Sequence, residues 1–111
     1  MESNAKVKYS RMTPRKARRV VDLIRGKRAG DALLSLRFMP YRGARLIEKV
    51  LKTAMSNAEH KNTSVDSEAM IISRAFVDQG STMKRVEQRS MGRANVIKKR
   101  SCHITLVLTE K

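Results

Sequence analysis

The chain has 111 residues, a length that fits one domain, with 25 Lys and Arg against 10 Asp and Glu, a net charge of +15 and a pI near 11.0. Self-repulsion on that scale destabilises a compact chain unless an anion neutralises it; nucleic acid is the usual partner, an acidic protein or an anionic membrane a less common one. A single cysteine excludes an internal disulfide and a cysteine-based zinc site, and no run approaches the roughly 18 apolar residues of a membrane span.

Met1 to Lys8 contain no apolar signal core. Ala5 to Tyr9 alternate apolar and basic, the pattern of a half-buried strand with its lysines facing out. Thr13 and Pro14 then open a helix. The Thr13 hydroxyl suits the N-cap, and Pro14 suits the first helical position, where no amide donor is needed. Ala17, Val20, Val21 and Ile24 form its apolar face, and Gly26 is a C-terminal stop. Arg15, Lys16, Arg18 and Arg19 sit off that face in the first turns, where the helix dipole disfavours cations by a few tenths of a kcal/mol each. With Arg11 they form a candidate phosphate-contacting cluster, although a merely solvated face is the plain alternative.

A short helix from about Asp31 to Phe38 turns Ala32, Leu33 and Leu36 inward, and Pro40 punctuates it. A longer helix from about Tyr41 to His60 carries Ala44, Ile47, Val50 or Leu51, Ala54 and Ala58 on one stripe. Lys61 to Ser64 read as loop. Strands follow at Met70 to Val77 and at Ser101 to Thr109, the second alternating cleanly, so that Cys102 reads as a small buried hydrophobe. A bulge or bend is expected over Asp78 to Ser81. His60 and His103 have no ligand spacing and read as cap or surface hydrogen-bonding groups.

Between these strands lies Thr82 to Arg100, with seven basic residues, one acidic residue and no apolar stripe. It reads as a hairpin arm that leaves the body and reaches about 30 Å at roughly 3.3 Å per residue. Gly92 suits a positive φ near its tip. The expected fold is α+β: three helices packed on a small three-stranded antiparallel sheet, with a long protruding basic β-hairpin. The body would be residues 1–81 and 101–111, the arm 82–100, in a single domain. Only four aromatic residues, Tyr9, Phe38, Tyr41 and Phe76, argue against stacking platforms and for recognition of phosphate, sugar and shape. Candidate anion contacts are Arg11, Arg15, Lys16, Arg18 and Arg19 on the body and Lys84, Arg85, Arg89, Arg93, Lys98, Lys99 and Arg100 on the arm. The carboxylates are scattered and the histidines unpaired, so no catalytic, metal or cofactor constellation and no small-molecule substrate is expected. A DNA-bending protein with a basic β-arm is the alternative; that class carries an apolar wedge at its tip, and here only Met91 could serve.

Several motifs resemble the large-subunit ribosomal protein L-twenty-two family of bacterial type over nearly the whole chain. They are Thr13-Pro14-Arg15-Lys16-Ala17-Arg18, Asp22-Leu23-Ile24-Arg25-Gly26-Lys27, Asn57-Ala58-Glu59-His60, Phe76-Val77-Asp78 with Gly80, Lys84-Arg85, Gly92-Arg93-Ala94 and Lys99-Arg100-Ser101-Cys102-His103-Ile104-Thr105. The resemblance implies a non-enzymatic protein that binds large-subunit ribosomal RNA and supports subunit assembly beside neighbouring ribosomal proteins, in cytoplasmic or organellar ribosomes. It also implies that the hairpin tip, Gln88, Arg89, Ser90, Met91, Gly92 and Arg93, lines the exit tunnel and meets the nascent polypeptide. Met83, Lys84 and Arg85, expected near that tip, are linked by the resemblance to macrolide resistance. Gln88 replaces the family's usual Pro, Ser90 and Met91 replace a small apolar and a basic residue, and Cys102 replaces a small polar one.

Overall fold

The structure, a computed structural model, describes residues 2–88, 90–92 and 94–110, with the backbone alone at positions 87, 88, 90, 94, 95 and 97. The element order is β1 (Glu2–Ser10), α1 (Pro14–Ile24), α2 (Ala29–Phe38), α3 (Arg42–Lys61), β2 (Ile71–Gln79), β3 (Met83–Gln88), β4 (Ala94–Lys99) and β5 (Cys102–Thr109). A 3-10 turn at Ser67–Ala69 leads into β2, and another at Ser90–Gly92 lies between β3 and β4. The fold is α+β, as the periodicities require: an antiparallel sheet in the order β1-β5-β2, three helices, and a separate two-stranded ribbon β3-β4.

The centre of the core is β5, because strict alternation places Cys102, Ile104, Leu106 and Leu108 on one buried face. The same core takes in Val20, Val21 and Ile24 of α1, Leu36 of α2, and Ile47, Val50 and Leu51 of α3; the choice between Val50 and Leu51 is not needed, since both are buried. Ala44, Ala54 and Ala58 let α3 approach the sheet closely. β1 begins three residues before its expected start, β2 runs two residues past its expected end, and α2 begins two residues earlier, at Ala29. Pairing with β5 carries both strands on, to Glu2↔Thr109 in β1 and Gln79↔Cys102 in β2, while at α2 the Ala29 N–H donates to Met70 O at 2.7 Å and Gly26 N–H and Lys27 O pair with Ile72 at 3.0 Å each. Gly26 holds φ at 82°, which suits it as the residue that closes α1 and turns toward β2.

One local expectation fails. The Thr13 side chain makes no capping bond; its backbone carbonyl takes the Lys16 N–H at 3.1 Å instead. The break expected over Asp78–Ser81 is present as an interruption after Gln79: Asp78 and Gln79 still pair with His103 and Cys102, and the ladder then stops until Met83 opens the separate ribbon. The register shifts sit between Ile72 and Arg74 in β2 and between Val7 and Ser10 in β1.

Both outer borders of the sheet are covered by helix side chains. On β2, Arg18 donates to Val77 O from Nε at 3.3 Å and Nη2 at 3.0 Å. Arg25 donates to Ala75 O at 3.1 and 2.6 Å, held in place by Asp22 at 2.8 Å. On β1, Asn57 Nδ2 donates to Asn4 O at 3.0 Å and Lys61 Nζ to Glu2 O at 2.9 Å. These bonds satisfy carbonyls that an edge strand otherwise leaves open.

The body passes into the ribbon at Gly80, whose N–H donates to Ser101 O at 2.9 Å. A Cβ there would lie 2.5 Å from Ser101 Oγ, which is itself fixed by donating to Ser81 O at 2.6 Å. Gly80→Ala is therefore expected to destabilise the protein by about 1–3 kcal/mol through overpacking. Urea unfolding measures this, and a loss under about 0.5 kcal/mol would show that the junction yields.

Candidate nucleic-acid interface

The ribbon leaves the sheet from the end where β2 finishes, β5 begins and β1 reaches Ser10. It is antiparallel from Met83↔Lys99 to Gln88↔Ala94. The molecule measures 64 × 25 × 16 Å, with a radius of gyration of 17.0 Å against about 13 Å for a compact chain of this length. Lys84 stands directly opposite Lys98 in the ribbon. Like charges across a strand pair repel, and a two-stranded ribbon alone is marginal in water, so an anion laid along this face relieves both problems. Val86 and Val96 form the next pair on that face, both exposed.

At the root of the ribbon the body opens into a cleft of about 750 Å³. Its walls bring together the start of α1, the start of α3, the end of β1 and both ribbon strands. Arg11, Lys16, Arg19 and Arg42 line it from the body, and Lys98, Lys99 and Arg100 from the ribbon. No acidic residue is among the described lining. Neither α1 nor α3 has a side-chain N-cap bond or an acidic residue in its first turn. Two positive helix ends without side-chain caps thus border the same space as seven cations, an arrangement that attracts anions. The first-turn cations on α1, unfavourable in isolation, would be compensated by such a ligand.

The structure separates the candidate contacts into groups. Arg11, Lys16, Arg19, Lys98, Lys99 and Arg100 converge on the cleft. Arg15, Lys84 and Arg85 are exposed beyond it. Arg18 is exposed but committed to Val77 O, so its first task is holding α1 to β2. Arg89 and Arg93 lie outside the described residues. Of the tip, Gln88, Ser90, Met91 and Gly92 are placed; Met91 is 98% exposed with φ at 64°, and Gly92 has φ at 73°. Met83, Lys84 and Arg85 lie at the body end of the ribbon rather than beside the tip, and Met83 lines the cleft.

Sequence reasoning overlooked Arg42, Tyr9 and Tyr41 as site residues. The usable signal was that Tyr41-Arg42 opens α3 much as Thr13-Pro14 opens α1. Tyr9 is unpaired in the β1 irregularity and holds φ at 55°, a left-handed conformation that costs a non-glycine residue about 1–3 kcal/mol. It is held there by its N–H, which donates to His103 Nδ1 at 3.0 Å, and by an edge-to-face ring contact with His103 at 4.8 Å. His103 thus serves as a hydrogen-bonding group. Arg19 lies over the Tyr41 ring at 5.8 Å.

Cys102 is fully buried; desolvation pushes its thiol up from its ordinary range and the Arg18 guanidinium opposes this in part. A protonated buried thiol is inert, consistent with its place in the β5 alternation. Among the described residues no group of three or more His, Cys, Asp or Glu could hold a metal, and no helix is long and apolar enough to cross a membrane.

The family described as Ribosomal protein L22p/L17e matches residues 5–109, and the chain belongs to this family of ribosomal proteins. Within it, the chain is 50% identical over 111 residues to Large ribosomal subunit protein uL22 of Desulforamulus reducens, covering 100% of this chain and 97% of that protein. The protein of the same name from Halothermothrix orenii is also 50% identical over 111 residues, with the same coverage of both chains. That of Desulfitobacterium hafniense strain Y51 is 48% identical over 110 residues, covering 99% of this chain and 96% of the relative.

Proposed function

We propose that the chain is a structural constituent of the large ribosomal subunit that binds large-subunit ribosomal RNA with its basic cleft and ribbon. The carrying observation is the gathering of seven cations and two uncapped helix ends at the root of an exposed cationic ribbon. Phosphates entering the cleft accept charge-assisted hydrogen bonds from Arg19, Arg42 and Arg100, whose forked donors suit bidentate contact, while Lys16, Lys98 and Lys99 add point charge. RNA along the ribbon neutralises the facing Lys84 and Lys98. In this reading the body and ribbon hold several RNA segments together during assembly, and neighbouring ribosomal proteins border the body.

Family membership and the length of the ribbon support a further part of the reading. The tip at Gln88, Ser90, Met91 and Gly92, with Arg89 and Arg93, reaches the nascent-peptide tunnel and forms part of its wall. The role is scaffolding rather than catalysis, in the ribosome of the compartment where the chain is made. The DNA-bending alternative would require an apolar wedge, and Met91 alone could supply one.

The test is a direct affinity comparison of the protein for large-subunit ribosomal RNA and for duplex DNA over a salt series. Preference for the ribosomal RNA, with log K falling steeply as log salt rises, is expected. A tenfold preference for duplex DNA would overturn the assignment.

A further inference from the structure

We infer that the cleft at the ribbon root receives a single unpaired nucleotide extruded from the RNA, with its base stacked on Tyr9 and Tyr41. This rests on the proposed RNA-binding role and names the kind of RNA element that the cleft takes. Phosphate attraction alone asks only for cations, yet this cleft also has an apolar lining. Met12, Pro40 and Met83 line it together with the two tyrosines, among the cations already described. Both rings are accessible, Tyr9 64% and Tyr41 39% exposed.

Size points the same way. A volume of about 750 Å³ lies within the roughly 300–1,000 Å³ of sites that enclose one small molecule, and a duplex is far wider. A base released from a helix loses its stacking partners, and proteins that read such bases supply aromatic or guanidinium planes in their place. Arg19 over Tyr41 forms one such pair of planes. Tyr9 supplies an independent indication. Its left-handed backbone is maintained by the His103 contacts, although an ordinary strand end would serve the sheet without strain. Backbone strain of this kind concentrates where a side chain must be aimed at a ligand. Only two of the chain's four aromatic residues take part, so a single nucleotide is the natural limit; there is no extended stacking platform for a strand.

The experiment uses the full-length protein and purified large-subunit ribosomal RNA. Short-wavelength ultraviolet cross-linking followed by peptide mass analysis is expected to place a nucleotide adduct on the peptide containing Tyr9 or on that containing Tyr41. Tyr9→Leu and Tyr41→Leu are each expected to weaken binding roughly five- to 150-fold, the range for loss of one base–ring stack, with an unchanged salt slope. Tyr9→Phe and Tyr41→Phe retain affinity, because the ring and not the hydroxyl is used. If the wild-type protein binds the RNA with a steep salt dependence but gives no adduct at either tyrosine, and Tyr41→Leu binds as tightly as wild type, the nucleotide site is refuted and the RNA-binding role stands. If the wild-type protein does not bind the RNA at all, the underlying role falls first. The wild-type cross-link requires no substitution, so a folding defect in Tyr9→Leu leaves the inference open to refutation.

Discussion

Replacing Lys84, Arg85, Lys98, Lys99 and Arg100 together with glutamine is expected to weaken binding to large-subunit ribosomal RNA by at least about a hundredfold near 0.1 M salt and to flatten its salt dependence. Each phosphate contact contributes about 0.7–0.9 to the slope of log K against log salt, so five lost contacts lower that slope by roughly 3–5 units. The effect is large because these cations have no other task among the described residues. All five are exposed, and none makes an ion pair among the described residues. Arg37, Arg45 and Lys52, which surround Glu48, serve as the contrast. Neutralising those three is expected to leave the slope within about one unit of wild type. A five-residue variant with the wild-type slope would mean that the ribbon root is not at the phosphates. The same variant removes the Lys84–Lys98 repulsion, so the free protein is expected to be no less stable than wild type.

Leu106→Ala is expected to cost about 3–5 kcal/mol, toward the upper part of the usual range for emptying a buried leucine site. Leu106 lies in the middle of the central strand and is fully buried. Its partners across the sheet are Ala5 on one side and Ala75 on the other, and neither has a side chain that can move into the space. At roughly 4–8 °C per kcal/mol for a chain of this size, the melting temperature falls by more than about 10 °C. Leu106→Ile keeps the volume and the strand propensity, and is expected to cost under about 1.5 kcal/mol. Urea and thermal unfolding check both values, and a cost under about 1 kcal/mol for the alanine variant would mean that this strand is not the centre of the core.

What could be read in the sequence was set by periodicity. Cys102, Ile104, Leu106 and Leu108 alternate without a break, and the structure places all four on the buried face. Pro14 and Gly26 mark the two ends of α1 because one lacks an N–H and the other tolerates a positive φ. Contacts between distant residues left no such mark. Arg18 reads as a phosphate contact and Lys61 as loop, Arg25 and Asn57 carry no packing signal, and only the packing of α1 and α3 beside the sheet gives the four of them carbonyls to bind. Tyr9 was read as the end of a regular strand, since a one-residue irregularity does not change the alternation before it. The cationic stretch was plain from composition. Its cleft was not, because the walls come from segments around positions 11, 42 and 98 that only the fold brings together.

The covered borders of the sheet bear on the interval between synthesis and incorporation. A β-sheet with bare rims can accept a strand from another copy and grow into an insoluble stack. Here Arg18 and Arg25 take up two carbonyls of one rim and Asn57 and Lys61 two of the other, so each rim of the body offers a partner strand an interrupted rail. The remaining bare rims belong to the cationic ribbon, where a second copy would meet charge of the same sign. The bonded rim carbonyls and the like charge of the ribbon both oppose self-association of the free chain.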